Sequence, residues 1–397
     1  MAHLSDRVNL ISESQTIAMA RKSRELKAQG IDIISLSLGE PDFNTPDVIK
    51  QAAIDAINDN FTYYTHVSGT VELRQAIAHK FKRDNGLDYT ADDIVVSTGA
   101  KQSIANAVLC VINPGDEVLV PAPFWVSYLE TLKLAGGVPI IIDTTIDTNF
   151  KVTAEQLKKH ITPKTRMLMF STPCNPTGSV YNKQELRAIA DVVKQHDELY
   201  ILSDEIYEHI NFIGGHESMA QFDDIKERVI TINGVSKGFA MTGWRGGIMA
   251  APRWIAQACD KMQGQFTSAT SSITQKAMQK AMELPAESTY YMRDAFLKRR
   301  DLVLGLMKDI KGFKTNVPDG AFYVYPEVSA LFGKKYNEYT INNATDLSLF
   351  LLDIAHVALV PGAAFGDDKY IRFSYATSED KLTEACKRIK EAVDKLN

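Results

Sequence analysis

The stretch Ser236-Lys237-Gly238-Phe239-Ala240-Met241-Thr242-Gly243-Trp244-Arg245 follows an apolar, β-branched run at 229–233, so Lys237 falls where a buried strand ends. An amine there can form a Schiff base with an aldehyde, and desolvation lowers its pKa and keeps part of it nucleophilic. Ser236 and Arg245 add a hydroxyl and a fork of donors suited to a phosphate. Taken singly, a lysine after a strand is ordinarily a solvated loop residue. Its assignment depends on what else reaches the same place.

Four other apolar runs end in groups of the right kind. After 167–171 comes Asn175-Pro176-Thr177-Gly178, a turn signal in its own right. Asn175 also offers an amide to a ligand, and the Asn175-Pro176 bond is a candidate for a cis peptide. After 200–203 come Asp204 and Tyr207. A carboxylate in that place ordinarily caps a helix; against a pyridine ring it would hold the ring nitrogen protonated and strengthen the ring as an electron sink. After 94–97 comes Thr98-Gly99-Ala100-Lys101 and then a helical pattern. Glycine before a helix start lets backbone N–H groups approach an anion at the positive end of the helix dipole. After 117–121 comes Trp125, which can stack on a planar cofactor or pack in the core. A lysine, a ring carboxylate, a phenol, an amide, a phosphate cradle and an indole form the set that pyridoxal phosphate needs.

Positioning such groups calls for a rigid frame. Apolar runs at 94–97, 117–121, 138–142, 167–171, 200–203, 229–233 and 247–251 alternate with helical patterns such as 102–112, 124–135 and 183–195. This rhythm predicts an α/β fold with a mainly parallel seven-stranded sheet, buried on both faces. Ligands of such sheets sit beyond the carboxyl ends of the strands. The C-terminal part differs, with a helix at 289–309, strands at 313–316, 321–325, 358–360 and 370–374, and a closing amphipathic helix at 378–396. The first 45 residues hold one helical pattern and one strand at 33–38, too little to fold alone. They are expected to join 285–397 as a smaller α+β domain beside a large domain at 46–284.

Composition narrows the partners. A net charge of −5 over 397 residues leaves no electrostatic footprint for nucleic acid or for an anionic membrane. The four cysteines lie far apart, without a C-x-x-C pair or a nearby histidine, which argues against a disulfide framework and structural zinc. The N-terminus has no apolar core of a signal peptide, and no segment is long and apolar enough to span a bilayer. The chain reads as soluble and cytoplasmic.

One ordered series then covers nearly the whole chain, about 32–392: Leu38-Gly39-Glu40-Pro41-Asp42-Phe43, Tyr64-Thr65-His66-Val67-Ser68-Gly69, Asn175 to Gly178, Ser203 to Tyr207, Ser236 to Arg245, and Arg372-Phe373-Ser374-Tyr375-Ala376. It resembles the fold-type I, class I aminotransferases, and within them the bacterial aspartate aminotransferases. The resemblance implies that Lys237 carries pyridoxal 5′-phosphate and shuttles the proton, with Asp204 on the pyridine nitrogen and Asn175 and Tyr207 on the phenolic oxygen. It implies Trp125 stacked on the ring, and a phosphate held by the backbone of Ala100 and Lys101, by Ser236 and Arg245, and by Tyr64 from a second subunit. Arg372 would bind the substrate α-carboxylate, with the backbone of Gly39 beside it. Lys101 would meet the distal carboxylate of aspartate, or else serve the phosphate, leaving hydroxyls of 267–272 as the next candidates. A homodimer with shared sites follows from the resemblance alone.

The sequence departs from the family pattern in two places. Gly246-Gly247 follows the arginine where an apolar residue is usual, which is expected to alter packing more than chemistry. Ser12 stands where some close relatives carry a lysine associated with prephenate, which argues against that substrate. The activity expected is transamination of L-aspartate with 2-oxoglutarate by a ping-pong route. Aromatic or other amino-acid transamination is the alternative, then a lyase on the same fold. A ligand-sensing regulator would need an added DNA-binding domain, for which the leader is neither long nor basic enough.

Overall fold

A computed structural model describes residues 4–13 and 15–397. Two helices, α1 (Asp6–Leu10) and α2 (Gln15–Ala28), precede the short strand β1 (Ile34–Ser35). The helices α3 (Asp47–Asn58) and α4 (Val71–Asn85) lead into a seven-stranded sheet. Its strands are β2 (Ile94–Thr98), β3 (Glu117–Ala122), β4 (Val138–Asp143), β5 (Thr165–Ser171), β6 (Tyr200–Asp204), β7 (Val229–Gly234) and β8 (Gly246–Ala250), in the order β2-β8-β7-β6-β5-β3-β4. Pairing is parallel from β7 to β4, while β8 runs antiparallel to both neighbours.

The inner strands are apolar on both faces because both faces are covered. Leu119, Leu168 and Ile201 join one apolar cluster, whereas Val118, Val120, Met167 and Met169 join another on the opposite side. The edge strand β4 is only partly buried, and Val138 at its start is exposed. Between β2 and β3 lies α5 (Ala100–Val111), and between β3 and β4 lies α6 (Ser127–Ala135), closed by Gly136 in the left-handed region at φ 75°.

The C-terminal part builds smaller sheets. A hairpin of β10 (Lys335–Tyr336) and β11 (Tyr339–Thr340) follows β9 (Tyr323–Val324). β1 pairs in parallel with β12 (Val357–Ala358), and β13 (Val360–Pro361), β14 (Ile371–Ser374) and β9 form an antiparallel sheet in the order β13-β14-β9. Ile34 and Leu36 share one apolar cluster with Phe296, Phe322, Leu347 and Ile389, so the N-terminal strand is buried by C-terminal elements.

Several boundaries differ from the sequence expectation. The helix expected from residue 102 begins at Ala100, because Gly99 already accepts the N–H groups of Gln102 and Ser103. That expected from 124 begins at Ser127, with Phe124 N–H tied instead to the Phe365 carbonyl. No strand forms at 313–316; Lys314 makes a single bridge to Glu327, and Asn316 turns its amide to Asn149 and the Thr177 carbonyl. The strand at 33–38 keeps only two paired residues, and α1 is a helix that the sequence reading did not separate.

Candidate active site

β7 delivers the lysine loop. The chain leaves the sheet after Gly234, turns through 236–245, and re-enters it as β8 with Val235 N–H bonded to the Gly246 carbonyl. Two residues of the turn, Ala240 at φ 50° and Arg245 at φ 59°, adopt the left-handed region although neither is glycine. Lys237 Nζ donates to the Gly39 carbonyl and lies 5.7 Å from the centre of the Tyr207 ring. Burial pushes its pKa down to about 8, helped by the Arg372 charge and opposed by Glu40 and Asp204. A lysine so placed is partly neutral near physiological pH, as a nucleophile or base must be.

The carboxyl ends of β5 and β6 supply the polar wall. Asp204 is buried, accepts the Tyr128 hydroxyl at 2.9 Å on Oδ2 and the Ile206 N–H at 3.3 Å on Oδ1. Desolvation raises its pKa to about 6, so at neutral pH it is an ionised carboxylate with no cation bonded to it. The Tyr207 hydroxyl pairs with that of Tyr323 at 2.8 Å. Asn175, at a peptide bond that is cis as anticipated, accepts Arg372 Nη1 at 3.0 Å.

Arg372 is carried by β14 and is 2% exposed. Nη2 donates to the Ser37 carbonyl at 2.6 Å, while Nε has no partner among the described residues. The guanidinium lies over Tyr323, 4.6 Å from the ring centre, and burial lowers its pKa with only tyrosine hydroxyls opposing. A buried guanidinium without a carboxylate is costly unless an anion completes it. That is the requirement of a carboxylate site.

The opposite end of the cavity is an anion cradle. Gly99 at φ 86° precedes α5, and the N–H groups of Ala100 and Lys101 find no acceptor among the described residues. The Arg245 guanidinium lies against Gly99, where a Cβ would collide with it, and Ser236 closes the side. Gly247 proves more than a packing change, since a Cβ there would strike the Gly99 carbonyl carbon and the Ala100 nitrogen. Only a bare strand lets the helix start sit this close. Gly246 does reflect packing, against Val235 and Met278.

These groups line one cavity of about 360 Å³. Gly39, Ala100, Lys101, Trp125, Asn175, Asp204, Tyr207, Ser236, Lys237, Arg245 and Arg372 all reach it; Tyr64 alone does not, being 98% exposed on this chain. The Gly39 carbonyl is already taken by Lys237. Trp125 meets Tyr128 edge-on, and the exposed Lys101 holds its amine 5.1 Å from the indole centre. The hydroxyls of 267–272 do not line this cavity; Thr267 and Thr270 bond Gln102 and Thr98 beside α5. The sequence reading missed Tyr128 and Tyr323. Tyr128 lies three residues past Trp125 and Tyr323 inside an apolar run buried throughout, where a phenol reads as core.

A doubly covered sheet that brings a lysine and an ionised carboxylate to its carboxyl edge, faced by an arginine of β14 with one nitrogen unpartnered among the described residues, defines an aminotransferase-like site, and the chain belongs to the class I and II aminotransferases, whose family model matches residues 31–389. It is 47% identical over 395 residues to the bifunctional aspartate aminotransferase and glutamate/aspartate-prephenate aminotransferase of Petunia hybrida, covering 98% of this chain and 82% of that one. Among solved structures it is similar to the aspartate aminotransferase of Rhizobium meliloti, with a TM-score of 0.97, 40% identity and full coverage of both chains. The Thermus thermophilus aspartate aminotransferase with maleate matches at a TM-score of 0.93 and 38% identity, covering 99% of this chain and 100% of that one.

Proposed function

We propose that this chain transfers the amino group of L-aspartate to 2-oxoglutarate, giving oxaloacetate and L-glutamate, with pyridoxal 5′-phosphate as cofactor. The observation that carries the proposal is Arg372, buried with one nitrogen unpartnered, on the same cavity as an amine of depressed pKa. Relatives named for aspartate, and a neighbour that holds the dicarboxylate maleate, support aspartate as the donor.

Each residue then has a physical task. The Ala100 and Lys101 N–H groups, Ser236 and Arg245 would hold the phosphate, Asp204 would serve the ring nitrogen, Asn175 and Tyr207 the phenolic oxygen, and Trp125 the ring face. Pyridoxal 5′-phosphate, when bound, supplies the electron sink for the charge left on the amino acid's Cα. Arg372 anchors the α-carboxylate, with Gly39 beside it, and so orients Cα toward Lys237. Lys237 Nζ takes the Cα proton, and its low pKa keeps the free amine available. Asp204 serves only as an anion, which its pKa of about 6 permits at neutral pH.

A homodimer with shared sites explains why Tyr64 stands fully out from this chain: it would complete the phosphate site of a partner subunit. We assign residues 46–284 to the cofactor-binding part and the remainder to a smaller part that carries Arg372. No helix among the described residues is long and apolar enough to cross a membrane, and a cytoplasmic location is part of the proposal. Ser12, in place of a lysine associated with prephenate, weakens prephenate as a further substrate, although relatives named for aspartate and prephenate are among those similar to this chain. A panel of amino donors with 2-oxoglutarate tests the reading. Oxaloacetate from aspartate is expected to exceed transfer from phenylalanine or leucine, and prephenate, an oxo acid, is offered as acceptor in place of 2-oxoglutarate; faster transfer from an aromatic donor would move the enzyme to the aromatic branch, and release of ammonia to the lyases.

A further inference from the structure

Thr45 lies outside the cavity, yet its hydroxyl ties two points of the lysine loop together. The side chain is 9% exposed, donates to the Ala240 carbonyl at 2.8 Å, and accepts the Trp244 indole N–H at 3.1 Å. Beside bonds from Trp244 N–H to Met241 and from Arg245 Nη1 to Thr242, the loop's own bonds around Ala240 lie at or beyond the upper end of the usual range: Ala240 N–H reaches the Lys237 carbonyl at 3.3 Å and Met241 N–H the Ser236 carbonyl at 3.2 Å. Ala240 also sits at φ 50°, which crowds its Cβ, and a residue in that region persists only where its surroundings over-determine it.

The segment 39–45 supplies several of those surroundings, beside the Thr274 hydroxyl, which donates to the Trp244 carbonyl at 3.1 Å, and His209, against which Gly238 and Phe239 pack. Gly39 accepts Lys237 Nζ, Glu40 accepts the Thr242 hydroxyl, and Thr45 grips Ala240 and Trp244. Rotation about Ala240 would displace Lys237 on one side and Arg245 on the other, and these must face the same cavity. A threonine hydroxyl suits the task because it donates and accepts at once.

We propose that Thr45 is a positioning residue for the reaction: by bridging the Ala240 carbonyl and the Trp244 indole, its hydroxyl fixes the Lys237 amine in register with the Arg245 guanidinium. Its consequence for turnover rests on the function proposed above, but its effect on the loop does not. The test uses the full chain with Thr45→Val, which removes both bonds at nearly constant shape, and Thr45→Ser, which keeps them. In the cofactor-free protein, hydrogen exchange of a peptide spanning 236–245 should quicken about tenfold or more in Thr45→Val while distant peptides stay unchanged. In the loaded enzyme, kcat for aspartate should fall about 10- to 100-fold with KM moved less than about threefold, as expected of a displaced base. The pH at which the loaded enzyme's absorbance changes should shift as well. Thr45→Ser should restore all three. Exchange within about twofold of wild type in Thr45→Val, or a Thr45→Ser protein as impaired as Thr45→Val, overturns the proposal. Should Thr45→Val not fold, Trp244→Phe removes one of the two bonds and should quicken loop exchange about threefold or more; no change there overturns it equally. An absence of transamination by the wild type, with the exchange differences intact, would fault the assigned reaction and not the role of Thr45.

Discussion

Two groups of buried charges lie on either side of the β6 terminus, and they are arranged in opposite ways. Behind the cavity, Lys80 bonds Glu208 and Asn85, Glu208 also meets His209 at 3.3 Å, and His216 Nε2 meets Glu205 at 2.9 Å. Glu205 further accepts the hydroxyls of Ser203 and Ser218. Burial alone would raise the pKa of Glu208, but Lys80 and His209 hold it well below the usual range. In the cavity, by contrast, Lys237, Asp204 and Arg372 form no ion pair with one another or with any other described residue. Charges satisfied inside the chain serve the fold. Charges left open cost stability and are completed from outside.

Breaking that contrast begins with Lys237→Ala, where the effect should be largest. Turnover should drop by about 10⁴-fold or more, since the proposed base and the proposed attachment point vanish together. Borohydride reduction of the loaded wild type followed by peptide mapping should mark Lys237; a mark on another lysine would remove it from its role.

The closed cluster should respond in the other currency, stability. Glu208→Gln takes the nearer counter-ion from the buried Lys80 ammonium, leaving only Asp84 at 3.8 Å, and should destabilise the protein by up to about 3–5 kcal/mol in urea titrations. The kcat/KM of whatever remains folded should change less than about threefold. A large catalytic loss at unaltered stability would erase the distinction between the two groups.

Asp204→Asn should do both at once, with opposite signs. The folded chain raises the Asp204 pKa from 3.8 to about 6, so it binds more protons than the unfolded chain within that window. Stability is therefore favoured at acid pH and declines as pH rises through the window, by at most about 3 kcal/mol above it. The cofactor-free Asn variant should lose this slope and be about 1–3 kcal/mol more stable than wild type near pH 8. Its turnover should fall more than about tenfold, a loss of ~1.4 kcal/mol or more in the transition state. Equal stability of the two proteins at high and low pH would show that the carboxylate is not buried at a cost.

The smallest effect expected is at Lys101, whose amine, its pKa lowered by desolvation and then by Arg245, lies at the rim of the open group. If it meets the distal carboxylate, a charge-assisted bond of ~1.5–3 kcal/mol is lost in Lys101→Ser. The kcat/KM for aspartate should then fall about 10- to 150-fold while that for phenylalanine changes little. Equal losses would assign Lys101 to the phosphate and turn attention to Thr267 and Thr270.

The open group was legible in the sequence for a reason that the closed one was not. Asp204, Asn175, Ala100 and Lys237 each follow an apolar run directly, so the strand rule alone brings them to one edge. Lys80 and Glu208 stand 128 residues apart on a helix and a turn, and nothing in the spacing of either announces a partner. Tyr323 and Tyr128 escaped because a phenol in an apolar stretch has the signature of core. Thr45 escaped because its two bonds reach some two hundred residues ahead, where local pattern carries no information. The expected strand at 313–316 failed differently, since its polar Asn316 found side-chain and loop partners better than a ladder.

At the end of β6, Asp204 faces the cavity and its neighbour Glu205 faces the closed cluster, one peptide bond apart. Which acid goes to which side is decided by Phe170 opposite Ser203, Ser171 opposite Asp204, and Asp204 opposite Ile232. A one-codon deletion within this strand would bring Glu205 to the place of Asp204, and a one-codon insertion would bring Asp204 to the place of Glu205. In the first case the longer side chain would enter the cavity; in the second the shorter would lie beside His216. Length polymorphism should thus be excluded from this strand even where single substitutions are accepted.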